Sequence, residues 1–212
     1  MCTCKTGVVT IVHLLNGLYD VLYESGVAAF ISGFYSESVL SFTAALKRCF
    51  EYYVRLYLVH QNLSLESVDR VWKEMSNQSE RQYGAFCVAF ASMESEEWRA
   101  DQKQVKFRNS AIHKGRIATR DETKKYAVYV TECINRVIQS YVPKLGDAEK
   151  IIADVPSGKE HPEVQKLLKI HPDAHVWRTA LTGQPLLNRG GDSWGRVTFD
   201  DALVELQRRI LR

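Results

Sequence analysis

All five prolines of this chain (Pro143, Pro156, Pro162, Pro172 and Pro185) lie beyond residue 142. Proline lacks the backbone donor that a helix interior requires and its ring clashes with the preceding turn, so a long proline-free stretch permits long uninterrupted helices. Hydrophobic periodicity fills that stretch. From Val8 to Glu24 the polar residues His13, Asn16, Asp20 and Glu24 recur at three- or four-residue steps on an otherwise apolar segment, which predicts an amphipathic helix with a wide buried face. After a turn at Ser36–Ser38, a stripe of Val39, Phe42, Leu46, Phe50, Tyr53 and Tyr57 predicts a second helix, with Cys49 beside it. A short helix is expected over Glu66–Met75. Another follows Ser79 with Tyr83, Phe86, Cys87 and Phe90 inward, and one more runs from near Ser95 to His113. No strand-like alternation is expected anywhere. The predicted fold class is all-α: an antiparallel helical bundle over residues 1–142, its core at about 36–141.

The best-marked boundary follows His113. Gly115 stands where a helix C-terminal glycine would, since a left-handed backbone costs glycine little. Thr119-Arg120-Asp121-Glu122 then has capping-box spacing, and Tyr126, Tyr129, Cys133, Val137 and Tyr141 give the stripe of a long helix. Two helices joined by so short a link are expected to be antiparallel neighbours. Beyond Pro143 the chain breaks into short segments. Pro162 and Pro172 are placed to begin helices, Gly183 to end one, and Thr198-Phe199-Asp200-Asp201 to cap a last helix through Ile210. Residues 143–212 are therefore expected to form a small, mostly helical and loop-rich C-terminal extension whose role the sequence does not disclose.

Composition narrows the function classes. Of 212 residues, 45% are apolar and 10% aromatic, too many for a disordered polymer. The net charge of +3 does not mark a nucleic-acid binder by bulk. Five cysteines at scattered positions do not form a disulfide framework, which favours a reducing, cytoplasmic setting. Charged and polar residues interrupt the most apolar stretch, so no membrane span is expected. No metal or cofactor is expected either. His161, His171 and His175 lack further ligands nearby in sequence, and Cys2-x-Cys4 lacks a partner pair. His60 is expected at a helix C-terminus, and Lys47, Glu51 and Arg55 as a solvated ion-pair row.

Chemistry concentrates in the segment from Val105 to Gly115. Trp98, Val105 and Ile112 are seven apart and mark a buried stripe, with Arg108 and Asn109 roughly 50° to either side of it at about 100° per residue. Polar groups beside an apolar seam require partners. Asn109 and His113, four apart, share a face, and Arg108 reaches in from the flank, so the three tips can converge on one anion. Between Arg99 and Lys125 nine basic residues stand against three acidic ones. That concentration around a histidine points to a phosphate-bearing partner, with Lys103, Lys106, Lys114, Arg116 and Arg120 as candidate binding residues.

The run Arg108-Asn109-Ser110-Ala111-Ile112-His113, at the end of one helix and followed by a glycine turn and a capped helix, resembles the motif of the HEPN superfamily. This is an all-helical group that includes many metal-independent ribonucleases, and the resemblance covers about Ser36 to Tyr141. It implies catalysis by Arg108, His113 and Asn109, RNA as substrate, which would make those five basic residues RNA-binding, and a homodimer whose paired motif helices form a composite site. It also implies a toxin or antiphage effector held by an antitoxin or defence-system partner. Some HEPN toxins carry a tyrosine two residues after the histidine. Position 115 here is glycine, so no regulation through such a tyrosine is implied. The alternative is a non-catalytic HEPN module binding RNA, nucleotide or a partner protein.

Overall fold

In the computed structural model, residues 2–3, 9–14, 18–75, 78–153, 162–179 and 196–210 are described. Their elements run β1 (Cys2–Thr3), β2 (Val9–Leu14), α1 (Leu18–Ile31), α2 (Tyr35–His60), α3 (Leu65–Met75), α4 (Ser79–Glu94), α5 (Gln102–His113), α6 (Arg120–Ala153), α7 (Pro162–Ile170), β3 (His175–Thr179) and α8 (Phe199–Ile210). The expected all-α helical bundle is what forms. Its axis is α2, which packs against α1, α3, α4, α5 and α6. The predicted stripe explains why: Val39, Phe42, Cys49 and Tyr53 are essentially inaccessible, and Leu46 and Phe50 nearly so. Each such side chain removed from water contributes ~1.5–3 kcal/mol.

Two close approaches fix α1 on α2. Gly33 has a left-handed φ of 81° and ends α1, while the Phe34 amide donates to the Ala29 carbonyl at 2.9 Å. The turn thus falls at Ser32–Phe34, and Ser38, expected in that turn, lies buried in the first turns of α2, donating from Oγ to the Gly26 carbonyl at 2.8 Å. At Gly26 an added Cβ would stand 2.8 Å from the Phe42 ring, so the absence of a side chain lets the helices touch.

The expected helix over Val8–Glu24 is corrected. Val9–Leu14 is a strand, and only Leu18 onward is helical. Val9, Thr10, Ile11 and Val12 are β-branched, a run that suits a pleated surface and is stiff in a helix. β2 pairs antiparallel with β1 and parallel with β3, Thr10 opposite His175 and Leu14 opposite Thr179. The partner strand lies near the other end of the chain, which hid it from local pattern. Pro172 likewise starts no helix: it sits in a turn leading into β3. Gly183 and the turn-rich stretch around it lie outside the described residues.

Asp20 and Glu24, expected on a polar face, are buried at 5% and 7% exposure. α8 lies against α1, with Arg209 Nη1 3.7 Å from Glu24 Oε1. Burial, then the charge of Glu24, pushes the Asp20 carboxyl up to about 7.

The boundary expected at 142/143 falls inside α6, which continues past Pro143 to Ala153. Leu145 is buried just beyond the proline, and Lys144 Nζ donates to the Met93 carbonyl at 3.0 Å and to Glu94 Oε2 at 2.8 Å. These contacts hold the turn that proline weakens. Pro162 does begin a helix, as expected. The last helix forms as predicted, its cap reciprocal: the Thr198 amide donates to Asp201 Oδ2 at 3.0 Å and the Asp201 amide to Thr198 Oγ1 at 3.1 Å. Phe199 sits in the bundle core, edge-on to Phe30 at 5.3 Å and Phe42 at 5.8 Å.

Candidate functional site

The segment bearing Arg108, Asn109 and His113 is positioned by aromatic packing before it and caps around it. α4 ends at Ser95, whose φ is 55°, and the chain does not re-enter a helix until Gln102. The helix expected from near Ser95 to His113 is therefore shorter, starting only at Gln102, because Asp101 caps that start by accepting the Lys103 amide at 2.7 Å. Trp98, read as helical from its seven-residue spacing to Val105, lies in the connection instead. It is buried against Phe86, Phe90 and Phe50 at ring distances of 5.0, 5.1 and 5.6 Å, with the Arg136 guanidinium 4.7 Å above it. That anchor sets where α5 begins.

At its other end α5 stops as the sequence predicts. Gly115 is left-handed at φ 67°, and the amides of Lys114 and Arg116 both donate to the Ser110 carbonyl at 3.2 Å. The Thr119 amide then donates to Glu122 Oε2 at 3.2 Å and the Glu122 amide to Thr119 Oγ1 at 3.4 Å, the expected capping box. Those hydrogen bonds, the backbone one first, hold the Glu122 carboxyl below its usual range. Phe107 of α5 meets Tyr126 of α6 at 5.8 Å. The fold thus presents α5 at the surface of the bundle with none of its residues fully buried.

Arg108, Asn109 and His113 line one cavity of about 650 Å³, whose walls come from α2, α4, α5, α6 and the chain around Trp98. Arg108 is half-buried; Asn109 and His113 are exposed, so the amide is not beside a buried seam as its wheel position suggested. Among the described residues none of the three side chains has a hydrogen bond or ion pair, which leaves all three available to a ligand.

A fourth polar group belongs with them. Lys47 lines the same cavity, donates from Nζ to Ser79 Oγ at 2.9 Å, and lies close enough to Arg108 to feel its charge. Desolvation first, and then Arg108, holds its ammonium below the ordinary lysine value, with Glu80 opposing. The expected row Lys47–Glu51–Arg55 does not form as such: Glu51 pairs with Arg48 and Arg55, and Arg55 also with Asp69 at 2.8 Å. Thr43, Leu46, Lys47 and Phe50 share one helical face and all four line the cavity, but no spacing within α2 links that face to α5. Tyr126, also lining it, bonds Thr43 Oγ1 at 2.8 Å; burial pushes its hydroxyl up to about 12 against that bond and Arg108.

The remaining basic candidates lie elsewhere. Lys103, Lys106, Lys114, Arg116 and Arg120 are all exposed, and none of them lines the cavity. Arg116 pairs with Glu122 and lies 5.7 Å over Phe107; Arg120 lies 5.6 Å over Phe30. They form a basic surround rather than a site. His60 ends α2 as expected. Among the described residues there is no cluster of His, Cys, Asp and Glu suited to a metal, and no helix long and apolar enough to cross a membrane. His161 and Cys4 lie outside the described residues. Comparison with protein-family models, with curated proteins and with solved structures returns no match.

Proposed function

We propose that this chain is a metal-independent endoribonuclease of the HEPN type, acting as a homodimer. The observation that supports the reading is the meeting of Arg108, Asn109 and His113 on one cavity, unpartnered by the protein's own groups. Cleavage would proceed by attack of the RNA 2′-hydroxyl on the adjacent phosphorus. The O2′–P bond forms, the P–O5′ bond breaks, and a 2′,3′-cyclic phosphate and a free 5′-hydroxyl result. One proton leaves O2′ and another must reach O5′. Histidine can accept or donate a proton near neutrality, and Arg108 offers a permanently charged fork to the phosphate oxygens as negative charge builds on them. Asn109 is placed to orient the ring or to donate to phosphate.

A single imidazole cannot hold both protonation states at once. A two-fold dimer facing two copies of α5 supplies one histidine as base and the other as acid. The exposure of His113 is compatible with such an arrangement. In this reading Lys103, Lys106, Lys114, Arg116 and Arg120 attract the RNA backbone at longer range, and the biological role is that of a toxin or antiphage effector restrained by a partner, in the cytoplasm.

The second reading, a binding module without catalysis, draws on one observation: no described side chain orients the His113 ring. Purified protein incubated with RNA in EDTA separates the two. The nuclease reading expects cleavage by wild type, with His113→Ala and Arg108→Ala each lowering the rate by at least about a hundredfold. RNA left intact by wild type, or cut equally by the variants, refutes it.

A further inference from the structure

Lys47 and Arg108 face one cavity from α2 and α5, close enough for each charge to act on the other, yet no carboxylate bridges them among the described residues. Glu80 is the lone acidic residue of the lining, and it sits on the lysine's side. Elsewhere on this surface arginines are neutralised by neighbours, as Arg55 is by Asp69 and Glu51. Two like charges converging on a void are stabilised by an anion between them.

The rest of the wall has a different chemistry. Tyr83, Trp98 and Tyr129 join Phe50 and Tyr126 around the same space, an aromatic surface far larger than a phosphate needs. Tyr83 and Tyr129 are half-buried whereas Phe50, Trp98 and Tyr126 are buried, so the two tyrosines are the part of this wall a ligand can reach. Ring faces of this kind take unstacked nucleobases at ~1–3 kcal/mol per base. A volume of about 650 Å³ lies within the range for small-molecule sites and accommodates one nucleotide, not a folded strand. Cations at one side and rings at the other describe a ligand with a phosphate joined to a flat heterocycle.

We propose that this cavity is a single-nucleotide subsite, in which Lys47 and Arg108 together hold one phosphate and the aromatic wall takes the base attached to it. The inference rests on the reading of Arg108 as a phosphate ligand and extends it. RNA enters with one residue splayed from the strand, and that residue's phosphate is set by Lys47 opposite the motif helix. Lys47 is then a binding residue from a helix that carries none of the motif.

Calorimetry on the full chain tests this, with the four ribonucleoside 3′-monophosphates, the corresponding nucleosides and inorganic phosphate as separate titrants. At least one nucleotide should bind about tenfold or more tighter than both its nucleoside and phosphate. Lys47→Met should weaken that nucleotide by about tenfold and leave the nucleoside unchanged, while Lys47→Arg retains binding. Tyr83→Leu should weaken nucleotide and nucleoside alike and leave phosphate unaffected. Lys47 is exposed, so its substitution does not threaten the core. A nucleotide that binds no better than phosphate overturns the proposal, as does Lys47→Met binding like wild type. Lys47-dependent nucleotide binding by a protein that never cuts RNA would keep the subsite and remove the nuclease. RNA cleavage without measurable nucleotide binding would do the reverse.

Discussion

Replacing Asp20 with asparagine should stabilise this protein at alkaline pH and do little in acid. Asp20 is 5% exposed, and its Oδ1 has no hydrogen-bond partner among the described residues. The groups around it do not supply a free counter-charge. Glu24 sits one turn along and is itself buried; Tyr19, Cys49 of α2 and Tyr141 of α6 are neutral; Arg209 of α8 approaches Glu24 but also bonds Glu205 at 2.9 Å. The native carboxyl therefore holds its proton until about pH 7, whereas the unfolded chain releases it near 3.8. Between those values the native state binds more protons, so stability falls as pH rises from about 4 to about 7 and is flat above. At about 1.4 kcal/mol per pH unit the full cost approaches ~4 kcal/mol, of which ~2.5 develops between pH 5 and pH 8. Urea unfolding of wild type and Asp20→Asn at those two pH values isolates it, because groups common to both proteins cancel in the double difference. The advantage of the variant should grow by ~2.5 kcal/mol at the higher pH. A difference that stays constant within ~0.5 kcal/mol would mean that this carboxyl is solvated, and would refute the reasoning.

Gly26→Ala should cost ~1–3 kcal/mol despite alanine's better helix propensity, since the new Cβ meets the Phe42 ring at 2.8 Å; a raised melting temperature would contradict the close approach of α1 and α2. Thr119→Ala removes the hydroxyl that accepts the Glu122 amide and should lower stability by ~1 kcal/mol in chemical denaturation. Salt should separate the basic surround from the cavity: Lys106→Gln should reduce the slope of log affinity for RNA against log salt by about one, leaving mononucleotide affinity as it was.

The elements legible in sequence share a physical character: their determinants are local. The stripe of α2, the glycine that ends α5, the capping boxes at Thr119 and Thr198 and the helix begun by Pro162 each depend on residues within a few positions of one another, so spacing suffices to find them. Over Val9–Leu14 strand and helix compete on a short β-branched run, and the arbiter is β3, far along the chain. Trp98 stood at heptad distance from Val105 by coincidence of number, with a left-handed Ser95 and the Asp101 cap between α4 and α5. Arg108, Asn109 and His113 were readable as one cluster because a single helix carries them. Lys47 was not, since it joins them from another helix.

Local chemistry was thus enough to specify a helical chain, most of its helix ends and three polar residues of one helix that line one cavity. Which charges would be buried, and which would share a cavity, was not a local matter. Asp20 and Lys47 each carry a charge on a helix face, and periodicity assigns both to water. Packing buried Asp20 near Cys49 of α2, and left Lys47 exposed but lining the cavity that Arg108 also lines. Burial and charge pairing are properties of distance in space, and only the folded chain sets those distances.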